Sequence, residues 1–177
     1  EGQILAFWEA HGTFKKSVER NRDKRDYVFY DGPPFATGLP HYGHLLAGTI
    51  KDIVPRYQTM RGYHVERRFG WDCHGLPIEL KVEALLGKVG DKVDAQAFRQ
   101  ACRAYATEQI DQQRKDFKRL GVLGDWENPY LTMDFQTEAD IVRALGRIAA
   151  NGHLLKGAKP VHWCTDCGSA LAEAEVE

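Results

Sequence analysis

No stretch of this 177-residue sequence approaches the roughly 18 consecutive apolar residues that a membrane-spanning helix needs, which predicts a chain with no membrane partner. The opening EGQILAFWEAHG is acidic and lacks both the basic n-region and the small-residue cleavage site of a secretory signal. An initiator Met is missing too, so the sequence reads as beginning inside a longer chain. Its four cysteines, irregularly spaced, do not make the framework of a secreted disulfide scaffold. A reducing cytoplasm is therefore the expected location. A net charge of −1 supplies no overall field to recruit nucleic acid. The basic stretches at Lys15-Lys16, Arg20 to Arg25, and Arg61, Arg67 and Arg68 read first as solvated surface charge. Repeats and low-complexity tracts are absent, and 43% apolar with 28% charged residues suits one globular domain or one with a small appendage.

Residues 3–14 place Ile4, Leu5, Phe7, Trp8 and Phe14 at roughly helical spacing, predicting an N-terminal helix packed on the body. Tyr27 to Tyr30 is a short β-rich run closed by Asp31-Gly32-Pro33-Pro34, so it reads as a buried strand entering a turn. A helix is expected from about residue 43, with Leu46, Ile50, Ile53, Val54 and Tyr57 on one face, a kink at Pro55 and a stop at Gly62. His64 to Phe69 reads as a second strand ending at Gly70-Trp71-Asp72, which completes the opening of a βαβ unit. A long helix over 95–119 should be capped by Asp94, with Phe98, Cys102, Tyr105 and Phe117 inward. Val122-Leu123 and Tyr130 to Met133 are strand candidates. Thr137-x-x-Asp140 reads as a capping box before a helix bearing Ile141, Leu145 and Ile148, stopped by Gly152. The alternation predicts an α/β fold with a mainly parallel sheet over 1–158. Composition changes at Lys159, so 159–177 is read as a separate beginning.

The residues with chemistry cluster around His41-Tyr42-Gly43-His44, after a glycine- and proline-rich turn and at the start of a helix. Helix N-termini offer unpaired N–H groups and a positive dipole end to phosphates. Gly43 lets a base or a phosphate chain approach the backbone. His41 and His44, three apart, share a face of the first turn, and their imidazoles can donate to an oxyanion forming on phosphorus. DGPPFATG stands just upstream, and GWDCHGLPIE stands at the end of the next strand. Open α/β sheets bind ligands beyond the carboxyl ends of adjacent strands, so the three motifs point into one crevice. Cys73-His74 is a poor thiol–base pair, because neighbours on a turn seldom face each other. Cys164-Thr165-Asp166-Cys167 has the spacing of a metal knuckle, but it supplies only two of the four ligands of structural zinc; two reduced cysteines in a tight turn remain the other reading.

The set DGPPFATG, HYGH and GWDCHGLPIE resembles class I aminoacyl-tRNA synthetases, and within them the isoleucine-specific branch. HYGH is similar to the family's HIGH signature with Tyr42 in the apolar place, and the likeness extends through RKDFKRLGVLGDW to WCTDCGSALAEAEVE. The resemblance implies a Rossmann-like parallel sheet followed, from about 159, by the start of an inserted connective domain. It implies that His41 and His44 are catalytic and that Gly32, Pro33, His41, Gly43 and His44 meet ATP with its Mg2+. It further implies that Pro33, Asp72 and His74 meet isoleucine, that Asp72 holds the α-ammonium, and that tRNA(Ile) is the acceptor. Family members can pair the Cys164/Cys167 knuckle with a second one to hold Zn2+. The alternative reading for Asp72 is a helix N-cap before a helix starting near Gly75. Thr37 stands where the family commonly has asparagine. No KMSKS-like segment is present, which leaves two further readings open: a non-catalytic or split piece, and another nucleotidyltransferase with an HxGH motif.

Overall fold

The computed structural model describes residues 1–176, which divide into two compact units, Glu1–Glu138 and Ala139 onward; the change of composition at Lys159 falls inside the second. The first unit contains α1 (Gly2–Ala10), α2 (Thr13–Glu19), α3 (Tyr42–Met60), β1 (Arg68–Trp71), α4 (Leu76–Leu86), α5 (Ala95–Arg119) and β2 (Asp125–Leu131). The helix α6 (Phe135–Ala150) begins in it and continues into the second, which adds the hairpin β3 (Trp163–Cys164) and β4 (Ser169–Ala170).

Strands β1 and β2 pair in parallel, as the alternation of elements predicts, with α4 and α5 in the crossover. Gly70 stands opposite Tyr130, and a Cβ there would lie 2.9 Å from the Tyr130 carbonyl oxygen, so only glycine allows this approach. Between the Arg68–Asp125 and Gly70–Tyr130 pairs, β2 carries extra residues as a bulge. The Arg68 guanidinium donates to the bulge carbonyls of Asn128 at 2.8 Å and Pro129 at 3.2 Å.

The core lies between β1, β2 and α5. Trp71 and Ala106 have no solvent exposure, and Phe69 packs on Trp126 with ring centroids 4.4 Å apart. Helix α5 runs over the residues its periodicity predicts, starts at Asp94, whose carboxylate accepts from the Gln96 and Ala97 N–H groups at 2.9 Å, and buries Phe98 and Phe117, with Cys102 and Tyr105 half-buried against the core. Its polar Gln113 is completely buried. The side-chain amide donates to the carbonyls of Phe35 at 3.0 Å and Gly38 at 2.8 Å, and its oxygen accepts from Trp71 Nε1 at 3.0 Å. One residue thus binds α5 to β1 and to the loop that precedes α3.

Several expectations are overturned. The predicted strand Tyr27–Tyr30 is not a ladder. A parallel bridge joins Asp26 to His64 and another joins Phe35 to Asp72, and between them Tyr30 is 91% exposed. Pro33 and Pro34 have no N–H to give a ladder. The first helix is two, broken at Gly12, and Ile4 and Phe7 are exposed while Leu5 and Trp8 are half-buried and lie against Gly121. Helix α3 runs unbroken through Pro55, its one buried residue, but Leu46, Ile50, Ile53 and Tyr57 face solvent. It packs instead through the opposite, polar face: Arg56 pairs with Asp52 at 2.5 Å and donates to the Gly121 carbonyl, and Asp52 accepts from Leu123 N–H at 3.2 Å. Val122 and Leu123, read from the sequence as a strand, lie in irregular chain ahead of β2, with the Leu123 N–H tied to Asp52. Helix α6 starts at Phe135, so Thr137 lies inside its first turn and is not the cap of a capping box.

Replacing Gln113 by leucine keeps the volume and leaves the Trp71 N–H and two carbonyls without their partner. At about 1–3 kcal/mol for each buried group left unpaired, Gln113→Leu is expected to lower unfolding stability by roughly 3 kcal/mol or more, read as a fall in the denaturant midpoint. A midpoint equal to that of the unmodified chain would show that Gln113 does not clamp the loop to β1.

Candidate functional site

The loop from Asp31 to Gly38 is tied at both ends. At its start, Lys51 of α3 pairs with Asp31 at 2.5 Å and donates to the Gly32 carbonyl at 3.2 Å. At its end, the Asp72 N–H donates to the Pro34 carbonyl and the Ala36 N–H donates to the Asp72 carbonyl, both at 2.8 Å. Helix α5 grips the far side: Gln109 accepts from Gly38 N–H at 2.9 Å, and the Thr37 hydroxyl lies 3.0 Å from that of Tyr105. Gly32 and half-buried Pro33 therefore hang between α3 and the end of β1.

Helix α3 begins with a reciprocal cap made by two imidazoles. His41 is the N-cap, and its Nδ1 accepts from the Gly43 N–H at 3.0 Å. His44 Nδ1 accepts from the His41 N–H at 3.2 Å. The ring centroids are 3.9 Å apart. A ring that accepts at Nδ1 carries its proton at Nε2, so each neutral ring keeps one N–H donor for a ligand. Partial burial, the His41 ring and the Lys51 ammonium all hold His44 below the ordinary histidine pKa, which favours the neutral donor form at pH 7. The place of Gly43 also has a local cause: a Cβ there would sit 2.8 Å from His41 Cε1.

Asp72 follows directly on β1, bridged to Phe35, and is not a helix cap: α4 has Gly75 in that position with no side-chain cap. Its Oδ1 accepts from the His74 N–H and from the Thr132 hydroxyl, both at 3.4 Å, and Thr132 in turn accepts from Cys73 N–H at 2.7 Å. Cys73 is buried, which pushes its thiol pKa up, and its Sγ lies 3.5 Å from the Trp71 carbonyl. The His74 ring turns instead to Glu138, with Nε2 3.1 Å from Oε1. The thiol–base pairing is thus absent. Motif reading missed Lys51, Gln113, Thr132 and Glu138. Each acts from an element remote in sequence, and only the strand assignment around Thr132 hinted at one of them.

The cysteine knuckle lies in the second unit. The Cys167 N–H donates to Cys164 Sγ at 3.3 Å across the β3–β4 turn, and that bond lowers the Cys164 thiol pKa against the opposing charge of Asp166. Among the described residues no group of three or more His, Cys, Asp or Glu side chains is arranged to hold a metal ion. Among them, too, no helix is long and apolar enough to cross a membrane. A basic cavity of about 280 Å³, lined by Lys24, Arg25, Arg61, Gly62 and Tyr63, sits beyond the C-terminal end of α3, the end opposite the histidines.

Gly43→Ala separates ring geometry from stability. Alanine gains about 1 kcal/mol of helix propensity, while displacing the His41 cap costs about the same. The melting temperature is expected to stay within a few degrees, while the His41 Nδ1 signal in imidazole nitrogen NMR loses its hydrogen-bond shift. An unchanged His41 signal would show that the ring tolerates the added methyl group.

The family model described as tRNA synthetases class I (I, L, M and V) matches residues 3–177. An isoleucine--tRNA ligase of Thioalkalivibrio sulfidiphilus is 61% identical over 177 residues, all of this chain and 19% of that protein. Those of Photorhabdus laumondii and Shewanella halifaxensis are 58% and 56% identical over the same span. The chain therefore spans about a fifth of the length of these curated relatives. A solved ternary complex of an Agrobacterium radiobacter K84 LeuRS with tRNA and LeuAMS superposes with a TM-score of 0.76 at 22% identity, covering 98% of this chain and 20% of that one. At that identity the likeness speaks to the fold, an α/β Rossmann-like one. Together, the match over nearly the whole chain and the high identities mean that this chain belongs to the class I tRNA synthetases of the isoleucine, leucine, methionine and valine group.

Proposed function

We propose that the chain is the ATP- and amino-acid-binding part of an enzyme that activates isoleucine with MgATP and passes it to tRNA(Ile) in the cytoplasm. The observation that carries the reading is the pair of imidazoles at the start of α3, each with its Nδ1 turned to a backbone N–H, an arrangement that leaves Nε2–H to meet a phosphate. Identities of 55–61% to isoleucine--tRNA ligases support the amino acid and the tRNA.

In this reading, the carboxylate of isoleucine attacks the α-phosphorus of ATP and pyrophosphate leaves. His41 and His44 donate from Nε2 to the charge that builds on the phosphate oxygens, and Gly32 and Pro33 wall the crevice beside them. Preorganised donors aimed at developing charge are the largest usual source of rate, and the reciprocal cap fixes both rings before ATP arrives. Protonation of His44 would remove the acceptor from His41 N–H. Because its pKa is lowered in the folded chain, the stability from the neutral cap is present above the ordinary value of 6.5 and is lost as pH falls through the lowered one. Asp72 pairs with the α-ammonium, the single formal positive charge of the amino acid, while Thr132 orients the carboxylate. His74 and Pro33 border the same amino acid. Mg2+ rides on the phosphates and needs at most one or two carboxylates from the protein. Cys164 and Cys167 would supply two of the four ligands of a structural zinc site.

Two measurements test this on a complete enzyme carrying the segment. Asp72→Asn keeps shape but loses a charge-assisted bond of about 1.5–3 kcal/mol, so isoleucine use in ATP–pyrophosphate exchange should fall one to two orders of magnitude with nucleotide affinity unchanged. Equal losses for isoleucine and ATP would remove Asp72 from the amino-acid site. Zinc content, if present, should fall when Cys164 and Cys167 are both changed to serine; stoichiometric zinc surviving that change would place the metal elsewhere.

A further inference from the structure

Three elements meet on one carboxylate oxygen. Glu138 lies in the first turn of α6, where the positive end of the helix dipole favours its charge. Its Oε1 accepts from Arg103 Nη2 of α5 at 2.5 Å and lies 3.1 Å from His74 Nε2. Arg103 is itself pinned, because it donates to the Met133 carbonyl and lies over the Phe135 ring at 4.6 Å. The acceptor is therefore fixed before the imidazole reaches it. A carboxylate only accepts, so His74 must present its Nε2–H to it.

The backbone of Asp72 and Cys73 is held by the Pro34–Ala36 loop and by Thr132, but at His74 the turn has little else to hold it. The His74 side chain is 50% exposed, and the bond from its N–H to Asp72 Oδ1 is long at 3.4 Å. We propose that Glu138 is a positioning residue for the amino-acid site: by gripping the His74 ring it fixes the turn that aims the Asp72 carboxylate at the substrate's α-ammonium. Arg103 completes the device. Its guanidinium neutralises Glu138, so the second anion near the crevice does not compete with Asp72 for the ammonium. The inference rests on the reading of Asp72 given above.

The test is isoleucine-dependent ATP–pyrophosphate exchange in a complete enzyme carrying this segment, with KM measured for isoleucine and for ATP. Glu138→Ala is expected to raise KM for isoleucine about tenfold, the loss of one hydrogen-bond tether, with KM for ATP unmoved. Glu138→Gln retains an oxygen for the His74 ring and should stay within about threefold of the parent. A structural role alone would move both KM values or neither. Should Glu138→Ala fail to fold, His74→Phe keeps a ring, removes the Nε2–H and is expected to give the same selective rise. Asp72→Asn runs in parallel. If Asp72→Asn raises KM for isoleucine while Glu138→Ala and His74→Phe do not, the positioning role is overturned. If Asp72→Asn itself leaves isoleucine use unchanged, the underlying reading of the site falls instead.

Discussion

A single buried amide holds the first unit in its arrangement. Gln113 lies in the C-terminal half of α5 with no solvent exposure, so each of its polar atoms must find a protein partner. It finds them in Trp71 at the core of β1 and in the carbonyls of the loop before α3. An apolar residue would fill the same space, but it would leave the loop carbonyls to find other donors. The loop then would not stand at a fixed height over the end of β1, where the Pro34 carbonyl receives the Asp72 N–H. The amide thus backs up, from the α5 side, the direct backbone bonds between the loop and Asp72 and the Lys51 tie at Gly32. Stability and site geometry therefore share a cause: one polar side chain in an otherwise apolar core.

The histidine pair is placed by a different logic. Most helix starts are capped by a short hydroxyl or carboxamide, which leaves the ligand to meet the backbone N–H groups. Here imidazoles take those N–H groups, at Gly43 and at His41. What the helix start presents outward is therefore ring N–H groups set further out, and the ring tautomers follow from the capping itself. Glycine at position 43 makes this possible, because any side chain would contest the room of the His41 ring.

How far the sequence could be read depends on where the information lay. Helix α5 was legible to its end residues because Asp94 caps it and its buried positions repeat at helical spacing. The motif residues were legible because Gly, Pro, His and Asp cluster within short windows. The face of α3 was read the wrong way round: Leu46, Ile50, Ile53 and Tyr57 make a good apolar stripe, but it is left exposed among the described residues, and the packing runs through Asp52 and Arg56. Periodicity reports that a stripe exists, not what covers it. Tyr27 to Tyr30 looked like a strand by residue type, but Pro33 and Pro34 interrupt the pairing that would have joined it to β1. Glu138 had no local signal and Thr132 only a strand candidate around it, since both act through partners 35 to 64 residues away.

The bulge in β2 has a consequence for how this segment can change over time. Residues 126–129 stand across from Phe69 alone on β1, and the ladder is reset above them by Gly70 against Tyr130 and Trp71 against Leu131. Length is stored there as slack. A residue gained or lost at 127–129, beyond buried Trp126, alters a surface arch held by Arg68, while the register that brings Thr132 beside Asp72 is set afterwards by the backbone contact at Gly70. Loop closure grows only by tenths of a kcal/mol for such small changes in length. The strand can therefore drift in length on its outer half and stay in step on its inner half, which isolates the site from one common kind of genetic variation.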